Sequence, residues 1–207
     1  MSEGVEVLVA RCREGDRVAE GALAHRAARQ ALQLAAVAMG DVHAASDVSQ
    51  EVAVRALRGL GGLRAPERFD AWVYRIAVSE IRRAYGRRQR RAEVSLNADA
   101  DADAGNDMPS GGTTIDDPGE ALLARAGLRE ALADLTVRER TALALRYVHD
   151  LGDQEIAAAM RCRPGTVRSL LSRARTRLSV HPALAEHAPA RHGRPGAVDF
   201  DIAKELH

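Results

Sequence analysis

The chain has 207 residues, 46% hydrophobic and only 3% aromatic. That length holds one or two modest cores, and the scarcity of aromatic residues, with Ala and Leu dominant, argues against sheets and for an all-α fold. The formal charge of +1 conceals three blocks: residues 1–91 hold 16 basic and 11 acidic side chains, residues 122–180 hold 11 and 6, and the stretch between carries Glu93, Asp99, Asp101, Asp103, Asp107, Asp116, Asp117 and Glu120 with no Lys or Arg.

Two basic blocks around an acidic spacer suggest a polyanionic partner, although a solvated face is the commoner explanation of any single Arg cluster. Cys12 and Cys162 form neither a disulfide framework nor a metal-ligand spacing, which fits a reducing cytoplasm. The first residues lack a charged-then-apolar signal pattern, and the uncharged apolar stretch 32–39 is far too short for a bilayer. The expectation is a soluble cytoplasmic protein with no direct membrane insertion.

Helix signals begin at Asp16 after Gly15, run through an Ala-rich stretch to Met39 and stop at Gly40 and Asp41. A second helix is predicted over about 45–60, where Val48, Val52, Ala56 and Leu60 repeat every four residues opposite Asp47, Glu51, Arg55 and Arg58. The segment GLGGLRAPER makes residues 59–68 a loop, and a third helix follows over about 69–88. Residues 92–119, with DADADAGND and PSGGTT at their heart, show no apolar periodicity and read as a disordered acidic linker. So long a structureless stretch separates two helical domains, 1–91 and 120–180.

The second domain opens with a short helix over 120–135. Thr136 and Glu139 then stand at capping-box spacing ahead of a helix to Val148. Gly152 and Asp153 restart the chain into a short helix over 154–160, residues 161–163 form a tight turn, and Pro164 sits in the first turn of the last helix. There Val167, Leu171, Ala174 and Leu178 make an inner stripe, leaving Arg168, Ser169, Ser172, Arg173 and Arg175 outside. Two short helices joined this way match a helix-turn-helix. Arg can donate two parallel hydrogen bonds to a guanine edge, and Ser can serve bases or phosphates. On charge alone the pair would be an ordinary helical hairpin; the turn placement and Pro164 decide for DNA binding.

The segment LGDQEIAAAMRCRPGTVRSLLSRARTRL resembles the C-terminal promoter-reading domain of extracytoplasmic-function sigma factors, a subfamily of the sigma-70 family. The resemblance implies that EIA lies in the supporting helix and that GTVRS opens the helix entering the major groove of the −35 element. It makes Arg168, Ser169, Ser172 and Arg173 the DNA contacts, flanked by Thr166 and Arg175. Leu170 stands where family members often carry Arg, which implies a changed preferred sequence or a lost phosphate contact. DVSQEVAVRALR resembles the family helix that docks on core RNA polymerase, with Asp47, Gln50 and Glu51 as its polar contacts, and FDAWVYRIAVSEIRR resembles the segment that opens the −10 element. In that segment Arg75, Ser79, Arg82 and Arg83 fall on one side, followed by Arg87, Arg88, Arg90 and Arg91, a track for a phosphate backbone. Ser79 replaces the usual Asn, which bears on base preference. Trp72 and Tyr74 suit either the core or stacking on unpaired bases.

The resemblance thus implies a sigma factor whose partners are core RNA polymerase, promoter DNA and an anti-sigma factor. The rival reading is a stand-alone helix-turn-helix regulator that binds an operator without polymerase. No phosphate-binding loop, nucleophile elbow or pair of catalytic carboxylates stands out, so neither catalytic activity nor a cofactor is expected. Cys12 and Cys162 read as small packing residues, and His181, His187 and His192 lack metal-ligand spacing. Residues 181–207 form a tail of unassigned role, either a frayed terminus or, at AVDFDIAKELH, a short docking helix.

Overall fold

A computed structural model describes residues 3–98 and 120–185, and side-chain positions for 3–90 and 126–184. Every regular element among the described residues is helical. They fall into two compact units, an N-terminal one carrying four helices and a C-terminal one carrying five. Residues 99–119 of the expected linker and the tail beyond Ala185, read as a frayed terminus or a short docking helix, lie outside the described residues, whereas residues 92–98, also assigned to the linker, are helical.

The N-terminal unit comprises α1 (Val5–Arg13), α2 (Arg17–Met39), α3 (Val42–Gly59) and α4 (Phe69–Ala98). Punctuation follows the side chains. Gly15, at φ +91°, turns the chain between α1 and α2, and Asp16 caps α2 by accepting from Val18 N at 2.8 Å and Ala19 N at 3.2 Å. Gly40 closes α2 in the left-handed region, and Asp41 caps α3 by accepting from Ala44 N at 3.0 Å. Along α2 the buried positions are mostly alanine (Ala19, Ala27, Ala31, Ala35, Ala38) with Leu23 and Leu34 between them. Small side chains there let α3 and α4 pack closely, with Val48, Val52, Phe69, Val73 and Ile81 filling the centre.

Two expectations need correction. Helix α1 was not anticipated, although Val5, Leu8, Val9 and Cys12 carry helical spacing; Val9 is fully buried. The third helix does not stop near Arg88 but runs to Ala98, because RRQRRAEVSLNA contains no proline and mostly good helix formers. The expected loop at 59–68 is present and holds two short 3-10 turns, Leu60–Gly62 and Pro66–Arg68.

The C-terminal unit comprises α5 (Glu120–Ala133), α6 (Val137–Tyr147), α7 (Asp153–Met160), α8 (Pro164–Ser179) and α9 (Pro182–Ala185). The capping box is complete: Thr136 Oγ1 accepts from Glu139 N at 3.3 Å, and Glu139 Oε2 accepts from Thr136 N at 3.0 Å. Asp150 and Arg161, both at positive φ, turn the chain before and after α7. Leu143, Leu145, Ile156 and Val167 are fully buried, with Leu171, Ala174 and Leu178 beside them. Arg140 is buried too, and its Nη1 donates to the carbonyls of Leu132 and Leu135 at 3.0 Å and of Ala133 at 3.3 Å. It thereby ties the end of α5 to α6. The unit continues past Val180: α9 packs on α5, with Leu184 only 4% exposed.

Candidate nucleic-acid and polymerase interfaces

Helix α8 displays its predicted polar face. Arg168, Ser169, Ser172, Arg173 and Arg175 are exposed and Thr166 is half-exposed, while Val167, Leu171, Ala174 and Leu178 point inward. Leu170 is inside as well, 3% exposed. It is a core residue and offers no side chain to the outer face. Some outward groups already have partners: Ser169 Oγ donates to Gly165 O at 3.0 Å, and Arg175 Nε donates to Leu171 O at 3.3 Å. These bonds to the helix's own carbonyls leave the remaining Arg175 nitrogens outward.

Arg173 and Arg177 converge on Glu139 at the start of α6. Arg173 Nε lies 3.4 Å from Oε1, and Arg177 Nη1 lies 3.1 Å from Oε2. Glu139 is 2% exposed. Burial alone would raise its carboxyl; the Thr136 backbone and hydroxyl, then the Arg177 charge and the Arg173 bond, hold it below the usual carboxylate range. Glu139 therefore does more than cap a helix. The capping spacing was legible in the sequence, but its link to α8 was not.

In the N-terminal unit, Arg75, Arg82 and Arg83 are exposed on α4 and Ser79 is half-buried. Arg87, Arg88 and Arg90 extend the track along an exposed face, and the side chain of Arg91 lies outside the described set. This track is interrupted by acids missed in the sequence. Buried Glu80 receives Arg55 at 2.7 Å and Arg83 at 2.9 Å, and Asp41 receives Arg88 at 2.8 Å. Tyr74 is buried and Trp72 half-buried, its ring centroid 6.0 Å from that of Phe69 at a 57° tilt. Tyr74 is a packing residue, and Trp72 packs on Phe69 while keeping part of its surface exposed.

Asp47, Gln50 and Glu51 are exposed together on α3, opposite Val48, Val52 and Ala56. The hydrogen bond from Arg55 Nε, 2.6 Å from Glu51 Oε1, holds that carboxyl below its ordinary range. Between α2 and α4, Arg26 donates to both oxygens of Asp70 at 2.7 and 2.6 Å, and Gln30 adds a third bond at 2.9 Å. Burial alone would raise the Asp70 carboxyl, but these bonds keep it low. The bridge fixes the start of α4 to α2.

Among the described residues no cluster of His, Cys, Asp and Glu could hold a metal, and no helix is long and apolar enough to cross a membrane. Cys12 and Cys162 are half-buried free thiols. His181 Nε2 lies 3.2 Å from Asp134 Oδ2; His187 and His192 lie outside the described residues.

A helix-turn-helix with an exposed Arg and Ser face, in a chain that also carries a separate helical unit with a basic helix, is the arrangement expected of a DNA-binding protein. Comparison with known proteins narrows the class. Residues 23–91 match the family model for sigma-70 region 2, and residues 125–178 match that for sigma-70 region 4. The RNA polymerase sigma-H factor of Pseudomonas aeruginosa is 33% identical over 86% of this chain and 95% of its own length. The ECF RNA polymerase sigma-E factor of Escherichia coli K12 is 36% identical over 82% and 90%. Among solved structures, CnrH in complex with the cytosolic domain of CnrY covers 90% of this chain and 100% of its own, with a TM-score of 0.55 and 25% identity. The chain belongs to the extracytoplasmic-function subfamily of the sigma-70 family of sigma factors.

Proposed function

We propose that this sigma factor binds core RNA polymerase through the Asp47, Gln50 and Glu51 face of α3, opens the −10 element along α4 and reads the −35 element with α8. The assigned contacts are Arg75, Ser79, Arg82 and Arg83 on α4, and Thr166, Arg168, Ser169, Ser172, Arg173 and Arg175 on α8. An N-terminal domain reaching Ala98 and a C-terminal domain running from Glu120 past Val180 divide this labour. The polymerase supplies the chemistry and the sigma factor supplies sequence choice, with no catalytic step or cofactor of its own, in the cytoplasm where the polymerase works. The observation that carries the reading is the exposed Arg and Ser face of α8 inside a region 4 match, in a chain that also matches region 2.

An anti-sigma factor restrains the protein. Support comes from two structural neighbours solved as complexes: the sigma factor RpoE with the anti-sigma factor NepR from Bartonella quintana, and CnrH with the cytosolic domain of CnrY. Run-off transcription with purified core polymerase tests the central reading. Promoter-selective transcripts that depend on the chain are expected; tight operator binding with no measurable affinity for core polymerase would replace it with a stand-alone regulator.

A further inference from the structure

Sequence-specific binding has to limit generic attraction between arginines and phosphates, because that attraction is the same at every site on DNA. Helix α8 carries Arg168, Arg173, Arg175 and Arg177, and two of these four are held from behind. The carboxylate of Glu139, its side chain 3% exposed, faces Arg173 and Arg177 side chains that are 59% and 51% exposed. Drawing both arginines away onto phosphates would leave a buried carboxylate without its charge partners, which is strongly unfavourable. Arg173 meets Glu139 through Nε, so the outer edge of its guanidinium remains available as a fixed donor fork.

Resting on the reading of α8 as the DNA-contacting helix, we infer that Glu139 is a specificity-determining positioning residue. It withholds the charge of Arg173 and Arg177 from generic phosphate contact and aims the outer Arg173 fork at a base edge. Glu139 itself touches no DNA in this scheme; it acts through the two arginines. The role is distinct from its capping function, because a glutamine at this position of the capping box also caps but carries no charge.

The test uses the full chain, wild type and Glu139→Gln, with two fluorescent DNA duplexes of about 30 base pairs. One has random sequence; the other is recovered by selection with the wild-type chain bound to core polymerase. Affinities are measured over a potassium chloride series. Freeing one or two arginines should steepen the salt slope on the random duplex by roughly 1 to 2, at about 0.9 per phosphate engaged. Losing the aimed fork should lower the selected-to-random affinity ratio roughly tenfold. Adding Arg173→Ala and Arg177→Ala to Glu139→Gln should return the slope to the wild-type value.

A folded Glu139→Gln protein with wild-type slope and ratio overturns the inference while leaving the function of α8 intact. A steeper slope that survives removal of both arginines overturns it too. If Glu139→Gln does not fold, Arg177→Ala decides: a withheld charge leaves the slope on random DNA unchanged, whereas a fall of about 0.9 shows that Arg177 was already on phosphate. Failure of the wild-type chain and its holoenzyme to prefer any duplex sinks the DNA-reading assignment and this inference together.

Discussion

Two arginines of the C-terminal unit, Arg140 and Arg168, should behave oppositely when replaced. Arg140 is buried and its Nη1 reaches three carbonyls of the α5 terminus at 3.0, 3.0 and 3.3 Å. A hydrogen bond to a charged group contributes about 1.5 to 3 kcal/mol, but three bonds from one nitrogen do not add fully. Arg140→Met keeps most of the side-chain volume and leaves the carbonyls without this donor, for an expected loss of about 3 to 5 kcal/mol, a large share of a domain's stability. Exposed Arg168 should cost less than about 0.5 kcal/mol on replacement by Ala. Its loss should instead reduce promoter selection roughly tenfold, the effect of one bidentate base contact. Urea unfolding followed by far-ultraviolet circular dichroism measures the first effect, and run-off competition between promoters measures the second. An Arg140→Met protein within about 1 kcal/mol of wild type would refute the carbonyl clamp. Unchanged selection by Arg168→Ala would remove that residue from the reading face.

Replacing Asp47, Gln50 and Glu51 with Ala should weaken binding to core polymerase while leaving DNA affinity unchanged; a pull-down and a DNA titration on the same protein separate the two. Burial lowers His149 from 6.5 to about 4, so the folded chain keeps this imidazole neutral while the unfolded chain takes up a proton below 6.5. Stability from this group is full above pH 6.5, falls as the pH drops to about 4 and then levels off. Asp70 and Glu139, with carboxyls held low, add losses that begin about one pH unit above their ordinary values of 3.8 and 4.5. The interval from 6.5 down to roughly 5.5 therefore isolates His149. A stability profile that is flat there, or the same slope in His149→Leu, would contradict the assignment.

Periodicity and punctuation made most of the fold legible. Asp16, Gly40, Thr136 and Pro164 mark helix boundaries by short-range chemistry that a sequence displays directly. The residues that hold tertiary structure through polar contacts were not legible. Arg138 and Arg140 differ in sequence only by helix phase, yet Arg138 is exposed and Arg140 is clamped inside. Leu170 escaped because a stripe every three or four residues is satisfied by Leu171, while the real inner face is wide enough for both. Glu80, Asp70 and Glu139 look like ordinary surface acids until the partner helix is known. The reading face of α8 could be listed residue by residue; the carboxylate behind it could not, since it lies 34 residues from Arg173.

The C-terminal boundary shows the same limit and yields the last prediction. Helical periodicity and the region 4 match both end at Leu178, yet the fold goes on. His181 Nδ1 accepts from Ala183 N at 3.2 Å, starting a final turn that seats Leu184, 4% exposed, against α5. Gly127 permits the contact: a Cβ there would lie 2.5 Å from the Ala183 carbonyl oxygen, a backbone atom that cannot swing away. A chain ending at Val180 should therefore be less stable than one ending at Ala185 by about 1.5 to 3 kcal/mol, the contribution of one buried leucine. Gly127→Ala should reach a similar loss by pushing α9 off while leaving the sequence of α9 intact. In the chain already ending at Val180 the same substitution should cost nothing and instead gain about 0.5 to 1 kcal/mol of helix propensity within α5, because the contact it would break is already gone. Urea midpoints of the four proteins settle it. Equal midpoints for the two chain lengths would show that Leu184 contributes nothing, and full additivity would show that Gly127 is needed for something other than the seat of α9.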